Sequence, residues 1–240
     1  MVARAAMYTG TFDPPTEAHH AIMRSAVCDH GVNRLIVAVN NAKSPKVFKC
    51  SAAQRRELLL AGMHPEIAGR VEVVIEPPRG KNALFAQLEK DARYDWSCVI
   101  GEDSFMALPP EARAHRRWLV FERAGVMTTV TDTPNVKRVR LAEALNGVSA
   151  TRAREALEKG KSVTGLVRAG AAALIAARGY YAMPVAAALA QRMERFDALW
   201  TAMTGAQVAL EKPAFVPTQS PEETPNYLAR YLAGMIVSPH

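Results

Sequence analysis

The sequence predicts an α/β fold: a doubly wound, mainly parallel sheet with a helical C-terminal extension. Short apolar runs alternate with helical patterns between residues 3 and 181, and strands separated by helices build βαβ units with parallel pairing. Runs such as Arg34-Leu-Ile-Val-Ala-Val39 are apolar at every position after the first, as strands covered on both faces must be. After Tyr181 no convincing strand pattern recurs.

The elements follow in order. Residues 3–8 form an apolar strand that leaves through a turn containing Gly10. Residues 17–29 read as a helix with Ala21, Ile22, Ser25 and Ala26 on one face. A second strand, 34–39, leads into a basic loop at 40–49 carrying Lys43, Lys46 and Lys49, which also reads as a solvated loop. Ser51 and Gln54 have capping-box spacing and open a helix containing Leu58, Leu59 and Leu60. A strand at 71–75, a helix at 82–92 and strands at 96–100 and 118–121 come next, and either 126–130 or 136–139 adds another. Asn146-Gly-Val-Ser149 precedes a helix at 151–159, with Ser149 or Thr151 suited to its N-cap.

Residues 1–181 thus make one domain and 182–240 an addition. The addition holds an Ala-, Leu- and Met-rich helical pattern at 184–203, a proline- and threonine-bearing linker at 213–225 and a short helix at 227–236. Its default reading is a packing or oligomerisation helix pair, the second of which would make a homo-oligomer through these helices. The alternative is a partner-binding element.

Composition narrows the function. With 240 residues, 49% hydrophobic and 22% charged, the chain is long enough for one large domain or a domain with an appended piece. The uncharged apolar stretches 169–177 and 179–190 are too short to span a bilayer, and Pro184 interrupts the second, so no membrane role is expected. No basic-then-apolar leader opens the chain, and Cys28, Cys50 and Cys98 lack metal-ligand spacing. They read as reduced thiols in a cytoplasm. The net charge is +7, yet residues 182–240 hold four Lys/Arg against five Asp/Glu. The positive excess therefore lies in the first domain and suits polyanionic substrates. A nucleic-acid reading is weaker, because the dense basic run Arg113, His115, Arg116, Arg117 has no interleaved aromatics and fits a solvated helix end.

The chemistry concentrates at Tyr8-Thr-Gly-Thr-Phe-Asp-Pro-Pro-Thr-Glu-Ala-His-His20. A strand, a tight loop and a helix N-terminus bring amide N–H groups and a positive helix end to one place, which suits phosphate. Gly10 would let backbone approach a ligand, and Pro14 and Pro15 stiffen the loop. Thr16 and His19, three apart, fall on one side of the first turn. His19 and His20 could equally be surface helix residues.

Gly10-Thr-Phe-Asp-Pro-Pro-Thr-Glu-Ala-His19 resembles the (H/T)xGH signature of the nucleotidyltransferase superfamily, with Ala18 in place of the usual glycine. Val148-Ser-Ala-Thr-Arg-Ala-Arg154 resembles its ISSTxIR motif, with Ala150 for the second serine. The resemblance covers about residues 1–181 and implies a Rossmann-like fold. Within the superfamily, residues 97–108 look like the (I/L)GxD segment of nicotinate or nicotinamide mononucleotide adenylyltransferases. Residues 117–125 resemble their strand ending in an arginine and a glycine, and 159–181 their C-terminal pattern, with Arg168 where they have proline. Phosphopantetheine adenylyltransferase is the rival branch: it prefers threonine at the position of Thr16 and has a phosphate-binding lysine near Lys43. The departures at Ala18, Ala150 and Arg168 also keep open a nucleotide-binding scaffold or sensor without turnover.

The resemblance implies transfer of AMP from ATP to a pyridine mononucleotide, with pyrophosphate released and Mg²⁺ held between phosphates, a step of NAD biosynthesis. It assigns His19 and Thr16 to the α/β-phosphate region, with Gly10, Thr11 and Phe12 forming the loop against ATP. Arg154, Ser149 and Thr151 would hold the β/γ-phosphates, and Lys43 would reach across. Asp103 would bind the ATP ribose, or simply N-cap a turn at 104–108. Arg123 would face the acceptor. Trp118 would stack on its ring, or merely begin a strand and pack.

Overall fold

The computed structural model describes residues 2–41, 48–122 and 130–181. Lys43, Lys46, Arg123, most of the 126–130 strand alternative and the whole extension 182–240 lie outside the described residues.

Six strands form one sheet: β1 (Ala3–Gly10), β2 (Arg34–Val39), β3 (Val71–Ile75), β4 (Tyr94–Gly101), β5 (Trp118–Glu122) and β6 (Val136–Arg140). Their order is β3-β2-β1-β4-β5-β6 and every pairing is parallel. This is the Rossmann-like arrangement. Of the two candidates for a late strand, 136–140 is the one that pairs, placing Val136 beside Trp118.

Among the described residues eight α-helices accompany the sheet: α1 (Glu17–Cys28), α2 (Ala52–Ala61), α3 (Pro65–Ala68), α4 (Lys81–Leu88), α5 (Glu102–Met106), α6 (Pro110–Ala114), α7 (Ala150–Glu158) and α8 (Ala169–Arg178). The Ser51–Gln54 capping box forms as its spacing predicts. Helix α4 stops at Leu88 instead of running to 92. Asp91 explains the early stop: its carboxylate accepts from the Arg93 amide and guanidinium, a local turn that competes with helix.

Alternation along β1 divides the core. Ala6 and Tyr8 face Met23 and Val27 of α1 and Leu59 of α2. Ala5 and Met7 belong to the opposite layer, with Phe85 of α4, Phe105 of α5 and Trp118. A third cluster joins Leu58, Ala153, Val163, Val167, Ala171 and Ile175, and so packs α7 and α8 beside α2. Gly170 is required there, because a Cβ would lie 2.1 Å from the carbonyl oxygen of Ala61. Among the described residues no helix is long and apolar enough to cross a membrane.

The strand order reverses between β1 and β4, which are hydrogen-bonded neighbours running the same way. In such sheets the crevice beyond the carboxyl ends at the reversal takes the ligand. Gly10 and Gly101 are the last residues of those two strands. The first motif and the segment around Asp103 therefore begin at this crevice.

Candidate active site

The loop from Gly10 to Thr16 is built around Phe12. A Cβ on Gly10 would come within 2.7 Å of the Phe12 ring, so the space above this glycine is filled by an aromatic side chain of the same loop. Phe12 is buried and adopts φ +53, a left-handed conformation uncommon for a residue with a side chain. Its ring packs edge-on against Tyr8 at 5.3 Å and His19 at 5.1 Å.

Thr16 is the N-cap of α1 and His19 its third residue. The Thr16 hydroxyl accepts from the His19 amide at 3.5 Å, and the Thr16 amide donates to His19 Nδ1 at 2.9 Å. An N–H aimed at Nδ1 makes that nitrogen the acceptor. In the neutral ring the proton then sits on Nε2, which becomes a donor. Thr16 is itself only 1% exposed, so its hydroxyl orients His19 and caps the helix. The next residue, His20, is equally buried and packs beside Gly62 and Ala171, where a Cβ on Gly62 would meet its Nε2 at 2.7 Å. Neither of its ring nitrogens has a hydrogen-bond partner. Burial first, then Arg168 and His19, lowers its pKa to about 3, so the ring is neutral.

The second motif meets the first. Ser149 is the N-cap of α7, its hydroxyl accepting from the Arg152 amide at 3.2 Å, and Thr151 lies inside the first turn. Arg154 donates from Nη1 to the main-chain carbonyl of Asp13 and from Nη2 to the Thr151 hydroxyl. The chain after the motif also returns to the site: the Glu17 amide donates to the Leu166 carbonyl at 2.9 Å. Arg168 pairs with Glu17 at 3.5 Å, which gives the arginine at that position a contact proline could not make.

Three further residues hold this edge together. Asp13 is buried; its carboxylate accepts from the Lys49 amide at 2.8 Å and from the Tyr181 hydroxyl at 2.7 Å. Arg55 buries a guanidinium at 1% exposure, donating to the carbonyls of Thr11, Asn40 and Cys50. It thereby ties the ends of β1 and β2 to the start of α2. Glu76, just beyond β3, accepts from the amides of Asn41 and Lys81. Arg55 was legible as a charge on the same face as Leu58 and Leu59, three and four residues on. Tyr181 had no comparable signal.

Asp103 lies at the same edge, exposed, as the second residue of α5. Gly101 takes the N-cap position and the helix begins at Glu102, so Asp103 does not cap a turn at 104–108. Trp118 is placed elsewhere. It is the first residue of β5, at the amino end of a parallel strand, 6% exposed and edge-on to Phe105 at 5.6 Å. Its Nε1 donates to the Arg113 carbonyl at 3.0 Å. The stacking role expected for Trp118 is therefore corrected to a core role, because the amino ends of the strands lie opposite the crevice. Lys43 and Arg123 are outside the described residues.

Comparison with known proteins follows this geometry. No curated protein sequence matches the chain. The fold is similar to that of Plasmodium falciparum nicotinic acid mononucleotide adenylyltransferase complexed with NaAD, with a TM-score of 0.61 and 15% identity over 74% of this chain and 97% of that one. The same enzyme complexed with APC gives a TM-score of 0.58 and 14% identity over 75% and 97%. The model of the cytidylyltransferase-like family matches residues 7–156, from β1 through both motifs into α7, and the chain belongs to that family of nucleotidyltransferases.

Proposed function

We propose that this chain is an adenylyltransferase that moves AMP from ATP to a pyridine mononucleotide, nicotinate or nicotinamide mononucleotide, with release of pyrophosphate. The observation that carries the reading is the meeting of the two motifs: Arg154 bonded to the backbone of Asp13, beside the Thr16–His19 capping box. That meeting puts a guanidinium fork, an imidazole donor and two helix N-termini at one sheet edge, the equipment a triphosphate requires. The structural likeness to an adenylyltransferase that acts on nicotinic acid mononucleotide supports the choice of acceptor.

The residues act by position and charge. A phosphate oxygen of the acceptor attacks the α-phosphorus of ATP in line, and pyrophosphate leaves. Nε2–H of His19 donates to the oxygens around the α/β bridge, where negative charge grows. Arg154, with Ser149 and Thr151 at the start of α7, holds the departing phosphates, its planar fork matching their oxygens. Asp103 accepts from ribose hydroxyls. Mg²⁺ would ride on the triphosphate oxygens and water, supplying charge neutralisation.

The test is pyrophosphate release from ATP and Mg²⁺ with nicotinate mononucleotide, nicotinamide mononucleotide and phosphopantetheine in parallel. Release with either mononucleotide is expected, and their ratio names the acceptor. Release with phosphopantetheine alone would assign the chain to the rival branch. ATP binding without release would make it a sensor.

A further inference from the structure

We propose that Tyr181 is a positioning residue for His19, acting through Asp13; the inference rests on the functional reading above. Tyr181 follows the left-handed Gly179 cap of α8, itself takes φ +64, and is 7% exposed. Its hydroxyl donates to Asp13 Oδ1 across 168 positions of sequence. Asp13 Oδ2 accepts from the Lys49 amide, 36 positions away, and the Asp13 carbonyl from Arg154, 141 positions away. Three distant segments therefore hold three atoms of one buried residue.

That hold is transmitted to the imidazole. Between Asp13 and Thr16 stand only Pro14 and Pro15, whose rings fix φ and leave the loop little slack. The amide and hydroxyl of Thr16 meet His19 Nδ1, both at 2.9 Å. On the other side of Asp13, the Phe12 ring packs edge-on to the same imidazole. Each of these contacts to His19 thus comes from a residue within three positions of Asp13. A phenol rather than a phenyl is needed at 181, because without its O–H a buried carboxylate oxygen loses its donor. Burial and the Asp13 hydrogen bond raise the Tyr181 pKa, keeping the hydroxyl protonated and donating.

The experiment uses the full chain and compares wild type with Tyr181→Phe by two readouts. One is turnover with ATP, Mg²⁺ and the active mononucleotide; the other is long-range ¹H–¹⁵N NMR of the His19 imidazole, which reads the tautomer without turnover. Expected for Tyr181→Phe is a kcat about 10-fold lower with the KM for ATP within about threefold, as for a misplaced catalytic group. The imidazole spectrum moves away from the Nε2–H pattern. In a His19→Ala background the same substitution costs nothing further, because the two act on one contact. Unchanged kcat with an unchanged imidazole spectrum overturns the proposal, as does full additivity with His19→Ala. A wild type that binds ATP but turns over no acceptor defeats the functional reading, and the imidazole spectrum then decides the positioning role alone. Where Tyr181→Phe yields too little folded protein, Asp13→Leu carries the same expectations, since it keeps the bulk of the side chain and removes the acceptor of the Tyr181 O–H.

Discussion

Arg154 donates to the main-chain carbonyl of Asp13, joining residues 141 positions apart and with them the two motifs of the chain. The same guanidinium touches the Thr151 hydroxyl at the start of α7. It is a strut between the motifs, and under the proposed function it is also a ligand of the departing phosphates, two tasks that a lysine could not combine. Arg154→Lys keeps the charge but loses the fork. We expect the KM for ATP to rise about 10- to 100-fold, equivalent to a lost charge-assisted hydrogen bond of roughly 1.5–3 kcal/mol. Steady-state kinetics check it; an unchanged KM would remove Arg154 from the path of the triphosphate.

His19 makes a different prediction, because under the proposed function its donor acts where charge develops. His19→Ala should lower kcat by roughly 10²-fold or more while ATP affinity stays within a few-fold, as for a contact made chiefly in the transition state. ATP titration by calorimetry beside turnover separates the two quantities. Equal losses in both would make His19 an ordinary ligand contact.

Arg55 governs stability. Its guanidinium is buried and donates to three main-chain carbonyls, those of Thr11, Asn40 and Cys50. Arg55→Met would fill much of the volume and leave those carbonyls dry, costing about 3 kcal/mol. For a chain of this size that lowers Tm by roughly 6–12 °C. Calorimetry or a dye-monitored melt reads it. A Tm within a degree or two of wild type would show that the three carbonyls find other donors.

The fold and the site were legible to different depths. The central strand 34–39 was legible because burial on both faces demands an unbroken apolar run, and it forms as read; 71–75 also forms, as an edge strand with Glu72 exposed. The Ser51 cap was visible because a cap is a local contact with a fixed spacing. The element ends were less so: α4 stops early for a side chain three residues past its end. The first motif read as a strand, a tight loop and a helix start, which form, but its internal packing was not legible. Nothing in the spacing says that the Phe12 ring fills the space over Gly10 or that Thr16 is buried. For Trp118 the sequence allowed both stacking on the acceptor ring and packing at a strand start, because a strand pattern does not tell which end lies at the crevice; packing is what forms. Tyr181 was out of reach, since its contact with Asp13 exists only once α8 has packed beside α2.

The dependence of stability on pH turns on His20, the residue after His19. Its ring is buried against α8 with both nitrogens unpartnered, and its pKa lies near 3 instead of 6.5. The unfolded chain therefore takes up a proton first as the solution is acidified. Between about pH 6.5 and 3 the unfolded state binds more protons than the native one, so stability falls with falling pH, by up to about 1.4 kcal/mol per pH unit from this group. Arg168, paired with Glu17 across the α1–α8 junction, is the charged group beside it. His20→Leu removes both the titration and two unsatisfied polar atoms while keeping most of the volume. It should leave the protein as stable at pH 7 or more so, by about 1–3 kcal/mol. Between pH 6.5 and 5 it should lose stability less steeply than wild type, by nearly one proton's worth of slope. Denaturant unfolding at pH 5, 6 and 7 for both chains measures this directly. Parallel slopes would mean that His20 titrates normally, and that its burial is relieved by water entering between α1 and α8.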